Sequence, residues 1–232
     1  MLVSVLIPVY NEEKTIAQII EKVKAVHLPQ GLDKEIVIVN DGSFDKTKEI
    51  LSRYEGQGDI RIFHQANGGK TAALLTGIKH AKGDVFLVQD ADLEYDPTEY
   101  PKLLLPILKG ETQVVYGSRF LGSIQGMQPI NRWANTISNW TVNCLYGTKI
   151  TDINTCYKVF TRRAFEGISI KGSHFELDTE LTVKLLLKGL SIKEVSIRYN
   201  ARSRAEGKKI KWPTALKMYW SIIKYRLRLN LK

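Results

Sequence analysis

The sequence predicts an α/β protein with a doubly wound, mostly parallel sheet flanked by helices. Three observations predict it. Apolar runs of strand length alternate with helix-length segments for more than the first hundred residues, the signature of βαβ units. The runs are continuous, as strands buried on both faces must be. Polar clusters fall directly after three of them, and open parallel sheets bind ligands beyond their strands' carboxyl ends.

The elements follow in order. Val3–Val9 is an apolar, β-branched run and reads as the first buried strand. A helix opens at Asn11-Glu12-Glu13, with Ile16, Ile19, Ile20 and Val23 on one face. Glu35–Asn40 is the second strand; the turn Asp41-Gly42-Ser43 and a helix to about Tyr54 follow. Ile60–His64 is the third strand, Asn67-Gly68-Gly69 a turn, and Lys70–Lys82 a helix. Asp84–Gln89 is the fourth strand and ends at Asp90-Ala91-Asp92. Pro97 suits the first turn of a helix to about Lys109, and Gln113–Tyr116 is a further strand.

Composition narrows the classes. Hydrophobic residues make up 44 % of 232, enough for a packed core. Cys144 and Cys156 lack any Cys-x-x-Cys pattern and read as reduced thiols; the four histidines have no ligand spacing. No signal peptide is visible, and no apolar run approaches the ~18–20 residues that cross a bilayer. A soluble or peripheral cytoplasmic protein is expected. The net charge of +10 is concentrated: residues 201–232 carry +9 and residues 1–200 only +1. An anionic partner near the tail is implied.

Two phosphate-binding chemistries are excluded. Gly69-Lys70-Thr71 supplies the second half of a Walker loop, but His64 stands where its first glycine belongs, and Lys70 reads as a solvated helix-start residue. Pro8-Val9-Tyr10-Asn11 replaces the dinucleotide fingerprint after the first strand. Asp90-Ala91-Asp92-Leu93-Glu94 is more informative. Alternation along an extended segment places the three carboxylates on one side. Unpaired they repel, and a hard divalent cation, Mg²⁺ or Mn²⁺, resolves the repulsion and can hold a diphosphate.

Those residues carry a resemblance. Ile7-Pro8-Val9-Tyr10-Asn11-Glu12, Val39-Asn40-Asp41-Gly42-Ser43, Gly83-Asp84, Asp90-Ala91-Asp92-Leu93, Gly117-Ser118-Arg119-Phe120 and Thr151-Asp152 together resemble a family 2 glycosyltransferase of the GT-A fold. The dolichyl- or polyprenyl-phosphate mannose and glucose synthase branch is the most similar. The resemblance implies an inverting, metal-dependent transfer from a nucleotide diphosphate sugar, such as GDP-mannose or a UDP-hexose, to a polyprenyl or dolichyl phosphate. It implies that Pro8, Tyr10 and Glu12 line the base and ribose pocket with Val39 and Asp41 opposite, and that Asp90 and Ala91 sit by the ribose and phosphates. It implies Asp92 and Glu94 as metal ligands, helped by Asp90. The synthases often carry Gln where Glu94 stands, and the swap keeps an oxygen ligand. Arg119 and Arg132 match positions near an acceptor phosphate, and Arg202 and Lys208 match residues that close over donor phosphates. The segment after Tyr199 departs more from the pattern. Residues 1–205 are expected to form the catalytic domain and 206–232 a basic amphipathic segment with no transmembrane helix.

The acceptor divides the readings. A phosphate with a second pKa of about 6 needs no general base, and guanidinium forks suit phosphate, which favours Arg119 and Arg132 as its holders. Asp178, in Glu176-Leu177-Asp178-Thr179-Glu180, is either the base for a hydroxyl acceptor or a helix cap. From Pro213 the tail reads as a helix with Lys217, Ser221, Lys224 and Arg228 on one stripe among Trp, Tyr and Leu. That pattern suits an anionic membrane surface at the cytoplasmic face, the alternative being a helix packed on the domain. A nucleotide-sugar pyrophosphorylase calls for a Gly-rich, Arg-containing loop after the first strand, which is missing. A module binding nucleic acid leaves the three acids unexplained, so no nucleic acid partner is expected.

Overall fold

The structure is a computed structural model that describes residues 1–29, 31–170, 177–202 and 222–227. The expected strands form: β1 (Leu2–Val9), β2 (Asp33–Asp41), β3 (Ile60–Gln65), β4 (Val85–Val88) and β5 (Val114–Gln125). β6 (Lys158–Thr161) and β7 (Ile192–Asn200) complete a seven-stranded sheet in the order β3-β2-β1-β4-β6-β5-β7. β6 runs antiparallel to β4 and β5, and the other pairings are parallel. The helices are α1 (Ile16–Ala25), α2 (Thr47–Ser52), α3 (Lys70–His80), α4 (Tyr100–Leu108), α5 (Pro129–Tyr146), α6 (Arg162–Phe165) and α7 (Leu177–Leu187). A 3-10 turn over Pro97–Glu99 leads into α4.

The physical reasons are local. β1, β2 and β4 are buried along most or all of their length, hence their continuous apolar runs. Ile16, Ile19, Ile20 and Val23 are the buried stripe of α1, which returns the chain across the sheet. The strand order reverses between β1 and β4, so a crevice opens beyond their carboxyl ends.

Two expectations need correction. α1 begins at Ile16, not at Asn11. Asn11 adopts a left-handed φ of 53°, donates its N–H to Ser43 Oγ and accepts from the Phe44 N–H, which staples the ends of β1 and β2 together. β5 extends well beyond Tyr116 because its outer part pairs with β7 after an irregularity between Ser118 and Ser123. A Cβ at Gly122 would lie 1.9 Å from the Ile197 carbonyl oxygen, so this close approach requires glycine. The tail helix expected from Pro213 lies mainly outside the described residues. Its described part, a helical turn over residues 222–226, buries Ile222 against Val142, Ile150 and Ile153. Tyr146 also donates its hydroxyl to the Ile222 carbonyl, so this turn packs on the domain. Among the described residues no helix is long and apolar enough to cross a membrane.

Candidate active site

Three strand ends and the segment after β7 converge on the crevice. β4 delivers Asp90, Ala91 and Asp92, but the chain is not extended there. Leu93 has a φ of 62°, rare for a branched residue, and the segment turns. The alternation expected to align the carboxylates of Asp90, Asp92 and Glu94 is therefore absent, and the turn brings the groups near one another instead. Glu94 donates its N–H to Asp92 Oδ1, while its own carboxylate accepts from the Tyr199 hydroxyl at 2.6 Å and the Arg202 N–H at 2.8 Å.

Arg202 is the hub of this crevice. Its guanidinium reaches Glu12 through both terminal nitrogens and Asp92 Oδ2 at 2.9 Å. Its Nε is buried and has no partner among the described residues, a donor left for an anion. Lys70, at the start of α3, sits 2.5 Å from Asp90 Oδ1. Lys70 is thus not solvated, which corrects the sequence reading. Burial would lower its ammonium pKa, but Asp90, with Cys156 and Asp178 nearby, holds it well above the usual value. The loop before Lys70 is fixed by Asp41, whose carboxylate accepts from Gln65 Nε2 and from the N–H groups of Gly68 and Gly69. Asp41 is thereby a buried organiser of the loop, and Val39 beside it is buried too. Both lie at the crevice without offering a free polar group. Pro8 is half-buried, Ala91 is buried and Tyr10 is exposed with its ring edge-on to Phe44.

Burial raises the Asp92 carboxyl to about 7, reinforced by the charges of Asp90 and Glu94. Arg202 pulls the other way but shares its fork with Glu12. Among the described residues no three carboxylate, His or Cys groups converge as a metal cluster. Asp90 and Asp92 nevertheless fit a divalent cation: they are hard oxygen donors, and burial first and the neighbouring carboxylate charges second raise the Asp92 carboxyl. Glu94 is committed elsewhere. A pH dependence follows. Because the folded value lies above the unfolded value of about 3.9, Asp92 favours the fold at acid pH, and that contribution is lost as pH rises through about 7. A divalent cation bound there would displace the same proton, so Mn²⁺ affinity measured by calorimetry is expected to fall about tenfold per pH unit below 7. A flat profile between pH 5 and 8 would contradict this.

Arg119 and Arg132 come from neighbouring elements. Arg119 is only 6 % exposed, and its Nε and Nη2 bind both oxygens of Asp152, itself fully buried, at 2.7 and 2.8 Å. Its guanidinium lies over the Tyr199 ring at 5.0 Å. The fork edge expected to hold an acceptor phosphate is therefore occupied by a carboxylate, and Arg119 is placed as a structural pair. Arg132 is exposed on α5, one turn before Asn135, which lies 3.5 Å from Arg119 Nη2. Asp178 opens α7 and accepts from the buried Lys158 ammonium at 2.8 Å. The charge of Asp178, like that of Asp90, also acts on Lys70 and Cys156. Lys208 lies outside the described residues. Lys70, Asp152 and Lys158 were not singled out as site residues. The Gly-Gly-Lys start of α3 was a visible signal for Lys70, whereas nothing local marks Lys158 as buried.

The reversed strand order and the acid-lined crevice define a Rossmann-like α/β fold with a ligand crevice at its switch point. The family model for glycosyl transferase family 2 matches residues 4–169. The chain belongs to that family. It is 33 % identical over 202 residues to a low-salt glycan biosynthesis hexosyltransferase of Haloferax volcanii, covering 86 % of this chain and 48 % of that protein. It is 30 % identical over 214 residues to a dolichol-phosphate mannosyltransferase of Pyrococcus furiosus, covering 90 % of this chain and 59 % of that one. The chain thus spans about half the length of these relatives. The fold is GT-A. A crystal structure of glucosyl-3-phosphoglycerate synthase from Mycobacterium tuberculosis, in complex with Mn²⁺, UDP and phosphoglyceric acid, superposes with a TM-score of 0.74 at 19 % identity, covering 97 % of this chain and 77 % of that one.

Proposed function

We propose that this glycosyltransferase transfers a sugar from a nucleotide diphosphate sugar to a polyprenyl phosphate, with Mg²⁺ or Mn²⁺, at the cytoplasmic face of a membrane. The observation that carries the donor half is the crevice itself: Asp90 and Asp92 lie under Lys70 and Arg202 at the point where the strand order reverses. The two cations stand where the positive charge of a metal–diphosphate complex belongs. Names of relatives supply the acceptor class, since one is a dolichol-phosphate mannosyltransferase and another an undecaprenyl-phosphate 4-deoxy-4-formamido-L-arabinose transferase.

Each residue then has a task. Tyr10 and Pro8 receive the base and ribose at the end of β1. Arg202, released from Asp92 and offering its unpartnered Nε, turns to the donor phosphates, and Lys208 joins it. Asp90 and Asp92 hold the divalent cation, which supplies charge neutralisation for the departing diphosphate. Arg132, exposed beside the crevice's acceptor side, binds the prenyl phosphate. One phosphate oxygen forms the bond to the anomeric carbon while the bond from that carbon to the nucleotide diphosphate breaks, inverting the configuration. A dianionic phosphate needs no base, so no protein group removes a proton.

A hydroxyl acceptor is the second reading, because Asp178 opens α7 and its charge acts on Lys70, the ion-pair partner of Asp90. Two variants separate them. Arg132→Ala is expected to raise the KM for prenyl phosphate about tenfold or more while donor binding stays unchanged. Asp178→Asn, checked for retained melting temperature because Lys158 loses its partner, is expected to keep kcat within about tenfold. A loss of ~10²–10⁴ in a folded Asp178→Asn would mark a general base and a hydroxyl acceptor.

A further inference from the structure

α5 is built inside out. The face turned into the domain carries Asn135, Ser138, Asn139 and Val142, all buried. The opposite face carries Ile130, Trp133, Ile137 and Trp140, which are 54, 69, 50 and 66 % exposed. At about 3.6 residues per turn these four fall within roughly a quarter of the helix circumference. The polar inner face has a reason: Asn139 donates to the Thr151 carbonyl and accepts from the Ile153 N–H, and Asn135 donates to the Asn131 carbonyl. Folding in water supplies no such reason for two tryptophans and two isoleucines held outward in one stripe.

We propose that this stripe of α5 is the face by which the protein docks on an anionic lipid bilayer. The inference deepens the lipid-acceptor reading, which places Arg132 on the same helix, at the flank of the stripe. Indole rings favour the zone between headgroups and acyl chains, where one side is apolar and the other wet. The charge around the helix fits the same occupant. No Asp or Glu occurs between Glu111 and Asp152, so α5 carries no carboxylate for anionic headgroups to repel. Arg132 and Lys149 are exposed near its two ends. The basic tail reaches it as well: Arg226 lies 5.7 Å over the Tyr146 ring in the last turn of α5, and the same tail turn exposes Ile223 and Leu227. A second copy of this chain, by contrast, would bring two bodies of charge +10 together. The membrane face therefore lies on α5, with the described tail turn packed beside it.

The test uses the full chain and vesicles that contain no prenyl phosphate. Binding to phosphatidylcholine vesicles with added phosphatidylglycerol is expected to exceed binding to phosphatidylcholine alone and to weaken as salt rises. With Trp212 and Trp220 changed to Phe, emission from Trp133 and Trp140 should shift to the blue on vesicle addition and be quenched by brominated acyl chains. Trp133→Gln/Trp140→Gln should reduce vesicle binding at least about tenfold, since two large apolar side chains leave the interface. The same variant should keep its melting temperature and its turnover of a short, water-soluble prenyl phosphate. Equal vesicle binding by this variant would overturn the inference. So would blue emission in lipid-free protein that vesicles leave unchanged, which would mean that the tail covers the stripe. A dimer in sedimentation velocity that the substitutions dissolve, with no lipid quenching, would assign the stripe to a second copy. If vesicles bind as expected while no prenyl phosphate accepts sugar, the acceptor reading fails and the docking face stands.

Discussion

Asp92→Ala is expected to reduce sugar transfer by at least ~10²–10³-fold, the scale on which one preorganised electrostatic partner of a leaving group acts. Asp92 is the carboxylate that Arg202 grips and that Asp90 and Glu94 crowd. Loss of folding does not explain that result, because the wild-type carboxylate is itself unfavourable when ionised. Burial and its acidic neighbours hold it at about 7. Asp92→Asn should therefore melt no lower than wild type at pH 8 without metal, while losing metal-dependent binding of a nucleoside diphosphate. Near-normal transfer by Asp92→Ala, or full wild-type activity in excess EDTA, would contradict the assignment.

Arg119→Ala is expected to lower stability by about 3–5 kcal/mol, the typical cost of leaving one member of a buried ion pair unpaired. Asp152, at zero exposure, would lose two donors, Nε and Nη2, and keep the backbone N–H of residue 119. The damage should spread, because Arg119 stacks on Tyr199, Tyr199 bonds Glu94 and Glu94 holds the backbone of Arg202. Arg119→Ala/Asp152→Ala should recover part of the lost melting temperature. If Arg119→Ala melts like wild type and only the KM for acceptor rises, Arg119 is a phosphate ligand as the sequence suggested, and the structural pair is not its main role.

The first half of the fold was legible because each strand there is an apolar run with a turn signal after it. Val3–Val9, Glu35–Asn40 and Val85–Val88 show no alternation to confuse with helix. The second half was less legible. β6 is four residues long, and α5 carries its apolar stripe outward, so its pattern does not point to the core. At the site, the sequence placed Asp41 at the end of β2 and Asp90 and Asp92 after β4, but not their partners. Asp90–Glu94 read as an alternating segment because nothing in Leu93 announces a left-handed φ. Arg119 read as a phosphate holder because its partner Asp152 lies far along the chain, and pairing across that span is a tertiary property. Lys70 read as solvated for the same reason: its counter-ion arrives from the end of β4.

The most direct test is transfer of labelled sugar from nucleotide diphosphate donors to prenyl monophosphate and to hydroxyl acceptors, each with Mn²⁺ and with EDTA. The account expects label in an organic-extractable, acid-labile glycosyl phosphate of inverted configuration, formed with metal and lost in EDTA. Label found only on a hydroxyl acceptor, or prenyl product undiminished by EDTA, would contradict it.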